Sequence, residues 1–116
     1  VYARERITYM RVSGRENVYP AEVESAIFGH ESISDVAVIG IPDEKWGEAV
    51  KAIVVLKDGK TASEKEIMDF TRERIAGFKS PKSVDFISEL PRNPSGKILK
   101  KELRAPYWEG KERQIN

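Results

Sequence analysis

Asp35-Val36-Ala37-Val38-Ile39-Gly40-Ile41 is a short apolar run, rich in β-branched residues, that leads into Pro42. It reads as a buried strand ending at that proline. Ala52-Ile53-Val54-Val55-Leu56 reads as a second strand, ending at the turn Asp58-Gly59-Lys60. On the N-terminal side, Pro20 suits the first turn of a helix. Val23, Ala26 and Ile27 form its apolar face, Glu22 and Glu24 lie opposite, and Gly29 stops it. On the C-terminal side, Ser63 followed by Glu66 is a capping box. Ile67, Phe70 and Ile75 then share one face of a helix ending near Gly77.

Beyond Pro81, Val84, Phe86 and Ile87 suggest a short third strand. Residues 90–97, LPRNPSGK, form a proline-marked loop, and 98–103 a short helix stopped before Pro106. Residues 1–13 suit an exposed hairpin or edge strands, and Gly14-Arg15-Glu16-Asn17 a turn. The expected fold is a small α+β domain: an N-terminal hairpin and a sheet of about three strands packed with helices. Its expected divisions are 1–13, 14–105 and a polar, frayed tail at 106–116.

The 116 residues make one ordinary domain, with 40% hydrophobic and 34% charged residues. Twenty basic against 19 acidic residues leave a net charge of +1, unlike a domain built to neutralise phosphate backbones. With no cysteine, thiolate metal sites, disulfides and cysteine nucleophiles are excluded. A single histidine, His30, excludes a multi-histidine metal site and argues against a Ser/His triad. No metal site is expected. No apolar run is long enough to span a bilayer, and no leader pattern opens the chain, so a reducing cytoplasm is the expected compartment. The chain starts at Val1 without methionine, as a processed product or an excised piece would.

Pro91-Arg92-Asn93-Pro94-Ser95-Gly96-Lys97 is a stiff way to present one ammonium: two prolines restrict the loop, and Gly96 permits close backbone approach. It is not a P-loop, because the upstream glycine is missing and Ile98 follows the lysine. A lone lysine is usually solvated surface; the spacing of the whole loop raises this one. The glycine turn at Gly14 leads into a helix start that suits anions, although most such turns only connect elements. Trp46 in its loop reads as packing when taken alone, and Phe78 with Lys79 and Lys82 as surface.

Taken in order, SGRENVYPAEVE (13–24), VAVIGIPDEKWGE (36–48), FKSPK (78–82) and ELPRNPSGKILKKEL (89–103) are far more specific. The order resembles the C-terminal domain of the adenylate-forming acyl-CoA synthetases, over about residues 4–105. That superfamily includes luciferases and peptide-synthetase adenylation domains. The nearest likeness is to fatty-acyl and medium-chain-acyl CoA ligases. The resemblance implies a mobile lid on a large N-terminal domain that holds the acyl pocket and most nucleotide contacts. It implies ATP with Mg2+ and coenzyme A as co-substrates of the complete enzyme, and a small-molecule carboxylic acid as substrate. A fragment without the large domain is expected to bind none of them tightly and to be inactive.

Residue by residue, Lys97 matches the family's adenylation lysine, supported by Gly96. Arg6 matches the nucleotide-holding arginine of the hinge motif. The hinge position falls on Thr8, where relatives carry Asp or Lys. Gly14 matches the turn bordering the pantetheine tunnel. Arg15 replaces a second glycine there; its side chain would either crowd the tunnel or turn outward to a CoA phosphate. Trp46 and Phe78 match aromatic positions that meet the adenine of CoA, and Lys79 and Lys82 would meet its phosphates. Two other readings compete. One is a non-catalytic interaction domain, favoured by the departures at Thr8 and Arg15. The other is a basic nucleic-acid module using Lys97, Lys100, Lys101 and Arg104. The near-neutral charge disfavours nucleic acid.

Overall fold

The computed structural model describes residues 10–12, 16–43, 47–75 and 77–109. In chain order the elements are β1 (Met10–Val12), β2 (Glu16–Val18), α1 (Pro20–Phe28), β3 (Ile33–Asp43), β4 (Gly47–Leu56), α2 (Glu64–Arg72), a 3-10 turn (Gly77–Lys79), β5 (Ser83–Phe86) and α3 (Lys100–Trp108). β1 and β2 form a small antiparallel pair. The main sheet has the order β3-β4-β5. β3 and β4 are antiparallel from Ile33↔Leu56 to Asp43↔Gly47. β5 lies parallel on the other edge of β4, and α2 lies within the crossover that a parallel pair requires. This is the α+β domain that the sequence predicts.

The apolar runs lack strict alternation because the sheet is covered on both faces. Successive side chains point to opposite sides. Val36, Val38, Val50, Ala52 and Val54 therefore join Val23, Ile27, Ile67 and Val84 in one core under α1 and α2. Ala37, Ile39 and Ile53 meet Leu90 in a second core, against which Ile98, Leu103 and Tyr107 pack. The loop at 90–97 and α3 thus cover one face, and the other two helices cover the opposite face.

Boundaries shift from the sequence expectation for local reasons. β3 continues past Pro42 to Asp43; as an edge strand it tolerates a proline whose missing N–H faces away from the ladder. β4 starts at Gly47, ahead of the apolar run, because residues 47–51 pair with residues 39–43 of β3, and the buried Lys51 among them finds partners inside the domain. The pairing of β1 with β2 puts Glu16 and Asn17 in a strand rather than a turn. Only half of the capping box forms. The Ser63 hydroxyl accepts from the Glu66 N–H at 3.0 Å, while the Glu66 carboxylate pairs with His30 Nε2 at 2.9 Å. Because His30 Nδ1 accepts the Ser32 N–H at 3.1 Å, the proton sits on Nε2, the nitrogen facing Glu66. α2 ends at Arg72, and Ile75 packs on the core from the following turn.

α3 is the largest revision. It starts at Lys100 and passes through Pro106 to Trp108. Pro106 removes the intrahelical donor for the carbonyl of Glu102, but both residues are exposed, so water can replace it. The residues beyond Pro106 hold the helix in place. The Trp108 Nε1–H donates to the Gly40 carbonyl at 2.8 Å, and the Tyr107 hydroxyl donates to Asp85.

Candidate functional site

The loop that carries Lys97 is a miniature hairpin closed by a bridge between Arg92 and Ile98. The Leu99 N–H donates to the Pro91 carbonyl and the Asn93 N–H to the Lys97 carbonyl, both at 2.9 Å. Inside it, Asn93 Oδ1 accepts from the Ser95 N–H at 3.0 Å, the Ser95 hydroxyl at 2.8 Å and the Lys97 N–H at 2.9 Å. This is the local side-chain-to-backbone bonding by which asparagine shapes turns. Gly96 completes the turn with φ +94°. A Cβ there would touch nothing within 4 Å, so the backbone conformation alone calls for glycine. Lys97 is exposed. Among the described residues its ammonium makes no ion pair, and the loop offers it as a fixed but unspent charge.

Beside Lys97 runs a groove of about 660 Å³ between residues 38–40 of β3 and the start of α3. Lys97, Lys100, Lys101 and Arg104 line it, opposed by Glu48. Pro20, Ile39, Ile98 and Leu99 contribute apolar lining. Lys100 is held by Glu24 at 2.6 Å, and the same Glu24 oxygen accepts the Val38 N–H at 2.8 Å. Concentrated positive charge over a low-dielectric lining favours an anionic ligand. The net charge of the chain does not predict this, because the balance is struck elsewhere on the surface.

α3 is braced from below by Lys51, which is 7% exposed. Its ammonium lies 3.1 Å from Asp85 Oδ1 and 3.0 Å from the Ser83 hydroxyl. It also sits 5.1 Å from the centre of the Tyr107 ring. Burial disfavours the charged form of Asp85, but the hydrogen bonds from Tyr107 and Lys51 outweigh it and hold the carboxyl below its ordinary range. Burial, and then the bond to Asp85, push the Tyr107 phenol up to about 12. A phenol raised in the folded state stabilises the fold fully below its unfolded value of about 10. That contribution disappears as pH rises from there towards 12. Unfolding midpoints measured across this window are expected to fall less steeply in Tyr107→Phe than in the parent chain.

Of the residues expected from sequence to act, the structure brings Lys97 to the groove, while Gly96 shapes the turn that precedes it. Lys79 does not line it; its ammonium pairs with both carboxylate oxygens of Glu22, at 3.1 and 3.2 Å. Lys82 is exposed, with its backbone N–H bonded to the Val50 carbonyl at 2.8 Å. Phe78 lies in the 3-10 turn, and its side chain is outside the described set. Arg6, Thr8, Gly14, Arg15 and Trp46 are outside the described residues. Arg92 and Asn93 were not singled out from sequence. The Asn-Pro step two residues before Ser95 is the signal that marks Asn93; for Arg92 the sequence offers none. Among the described residues no group of three His, Asp or Glu side chains could hold a metal ion. No described helix is long and apolar enough to cross a membrane.

Residues 22–97 match the family described as AMP-binding enzyme C-terminal domain. A long-chain-fatty-acid–CoA ligase of Mycobacterium tuberculosis is 52% identical over 107 residues, which are 92% of this chain and 21% of that protein. A fatty acid–[acyl-carrier-protein] ligase of Streptomyces coeruleorubidus is 43% identical over 116 residues, 100% of this chain and 22% of that protein. Among solved structures, a Mycobacterium tuberculosis fatty acyl CoA synthetase superposes with a TM-score of 0.79 at 52% identity, covering 85% of this chain and 19% of that one. ATP-bound MatB from Rhodopseudomonas palustris superposes with a TM-score of 0.81 at 39% identity, covering 85% and 20%. The chain spans about a fifth of the length of the curated relatives it matches.

Proposed function

This chain belongs to the AMP-binding enzyme C-terminal domain family, and from that premise we propose that it is the lid of an ATP-dependent fatty-acyl or other carboxylic-acid CoA ligase. The observation that carries this reading is the Lys97 loop: an exposed ammonium on a hydrogen-bonded hairpin, beside a cationic groove. In the first half-reaction a carboxylate oxygen attacks the α-phosphorus of ATP. The bond to pyrophosphate breaks, leaving an acyl-adenylate. Lys97 supplies fixed positive charge to oxygens that gain charge in that transition state. It acts as a point charge and exchanges no proton. In the second half-reaction the thiolate of coenzyme A attacks the acyl carbon, and AMP leaves.

The partner is a large N-terminal domain that carries the acyl pocket. Mg2+ would bind through that domain and the nucleotide phosphates. Arg6 would hold nucleotide and Thr8 would act as the pivot. Gly14 and Arg15 would border the pantetheine path, with Trp46 and Phe78 against the adenine of CoA. Lys82 stands ready for a CoA phosphate, whereas Lys79 must first exchange Glu22 for it. The complete enzyme would work in the cytoplasm.

The test is a hybrid ligase: the Mycobacterium tuberculosis relative with its C-terminal domain replaced by this chain. It is expected to form acyl-CoA from a fatty acid, ATP and CoA, while the isolated chain forms none. Acyl-CoA synthesis by the isolated chain, or a hybrid no better than the truncated relative, would sink the reading. Because one relative is named for an acyl-carrier-protein acceptor, carrier protein and free CoA are assayed side by side.

A further inference from the structure

The bonds inside the Lys97 hairpin set its shape but do not aim it. Leu90 and Ile98 seat the base of the hairpin on the sheet, but Asn93 makes its bonds within the loop and ties no part of the tip to the sheet. Arg92 joins the two. Its Nε–H donates to the Gly96 carbonyl at 3.0 Å, and its Nη1 lies 2.7 Å from Asp35 Oδ2 on β3. Asp35 is itself oriented, because its other oxygen accepts the Val36 N–H at 3.0 Å.

We propose that Arg92 is a positioning residue for Lys97, a strut that ties the carbonyl immediately before the lysine to Asp35 on the sheet. This rests on the assignment of Lys97 to adenylation. The guanidinium fork allows it, because Nε and Nη1 donate in different directions from one rigid plane. A lysine at 92 would keep the ion pair and lose the bond to Gly96. The hydrogen bond from Arg92 to Asp35, with the charge of Asp35, raises the guanidinium's already high pKa further, so the strut stays charged throughout the working range. In this assignment Arg92 acts through Lys97 rather than on substrate, since its Nε and Nη1 are given to Gly96 and Asp35. On the far side of Lys97, Lys100 is tethered through Glu24 to the Val38 N–H, also on β3. The lysine is therefore suspended between two anchors on one strand. Displacement of a reacting group by about 1 Å can cost about a hundredfold in rate.

The experiment uses the hybrid ligase and measures each half-reaction alone: pyrophosphate release in a single turnover, and thioester formation from supplied acyl-adenylate. Arg92→Met is expected to slow adenylation by about 10- to 100-fold. The apparent KM for ATP and for the carboxylate, and the rate of thioester formation, are expected to stay unchanged. Arg92→Lys and Asp35→Asn should fall between Arg92→Met and the parent. If Arg92→Met leaves adenylation unchanged where Lys97→Ala lowers it by about 100-fold or more, the strut is overturned and the Lys97 assignment stands. If Arg92→Met slows both half-reactions equally and lowers the unfolding midpoint, Arg92 is only a stability residue and the proposal fails. If Lys97→Ala itself leaves adenylation intact, the assignment and the strut fall together.

Discussion

Lys97→Ala in the hybrid ligase is expected to lower acyl-adenylate formation by about 100- to 1,000-fold, the range for removing one preorganised transition-state donor. Thioester formation from supplied acyl-adenylate should continue, because the ammonium is asked to stabilise charge only while the α-phosphate is being transferred. The fold should also be unaffected. The side chain is exposed and, among the described residues, has no ion-pair partner. The loop is shaped by the backbone N–H of residue 97, which alanine retains. Equal unfolding midpoints for variant and parent, with one half-reaction lost and the other kept, is the expected pattern. Loss of both half-reactions with the fold intact would refute the assignment.

Asp85→Ala and Lys51→Met should differ sharply, although each removes one partner of the same ion pair. Asp85→Ala leaves a buried ammonium with the Ser83 hydroxyl as its remaining hydrogen-bond partner, and it deprives the Tyr107 hydroxyl of its acceptor. Breaking a fully buried pair costs roughly 3–5 kcal/mol. The 43% exposure of the Asp85 side chain reduces this to about 2–3 kcal/mol. For a chain of this size that lowers the unfolding midpoint by on the order of 10 °C. Lys51→Met replaces a buried charge by an apolar chain of similar length and leaves Asp85 bonded to Tyr107 and open to water. Its cost should be about 1 kcal/mol or less. Thermal unfolding of the two variants checks this, and equal destabilisation would refute the account. Because Tyr107 lies on α3 beyond Pro106, Asp85→Ala should also loosen the helix that follows the Lys97 loop. Amide exchange along α3 would show it.

The strand segments at 35–41 and 52–56 were legible because buried β-branched runs have few alternatives, whereas the extension of the second strand back to Gly47 was not. α1 was legible from Pro20 and its apolar face, and the start of α2 from Ser63. Lys97 was legible because the residues around it belong to a short local motif, and local bonds build that loop. Phe78 and Lys79 were legible only as residue types beside Pro81; that Lys79 faces Glu22 depends on α1 meeting the 3-10 turn. The end of α3 was misjudged. Pro106 is a sound stop signal when a helix is judged by propensity, but Tyr107 and Trp108 are bonded to Asp85 and Gly40, residues that are neighbours only after folding.

Periodicity and local turn chemistry therefore specify the α+β class, the buried strands and the loop that presents the lysine, because the interactions behind them span only a few residues. The aim of that lysine is a different matter. It depends on Arg92 reaching Asp35, 57 positions earlier in the sequence, and on Lys100 reaching Glu24. The brace under α3 depends on Lys51, Asp85 and Tyr107 converging from β4, β5 and α3. Charged residues at such separations give no periodic signal, and they become partners only when burial and strand pairing bring them within hydrogen-bonding distance.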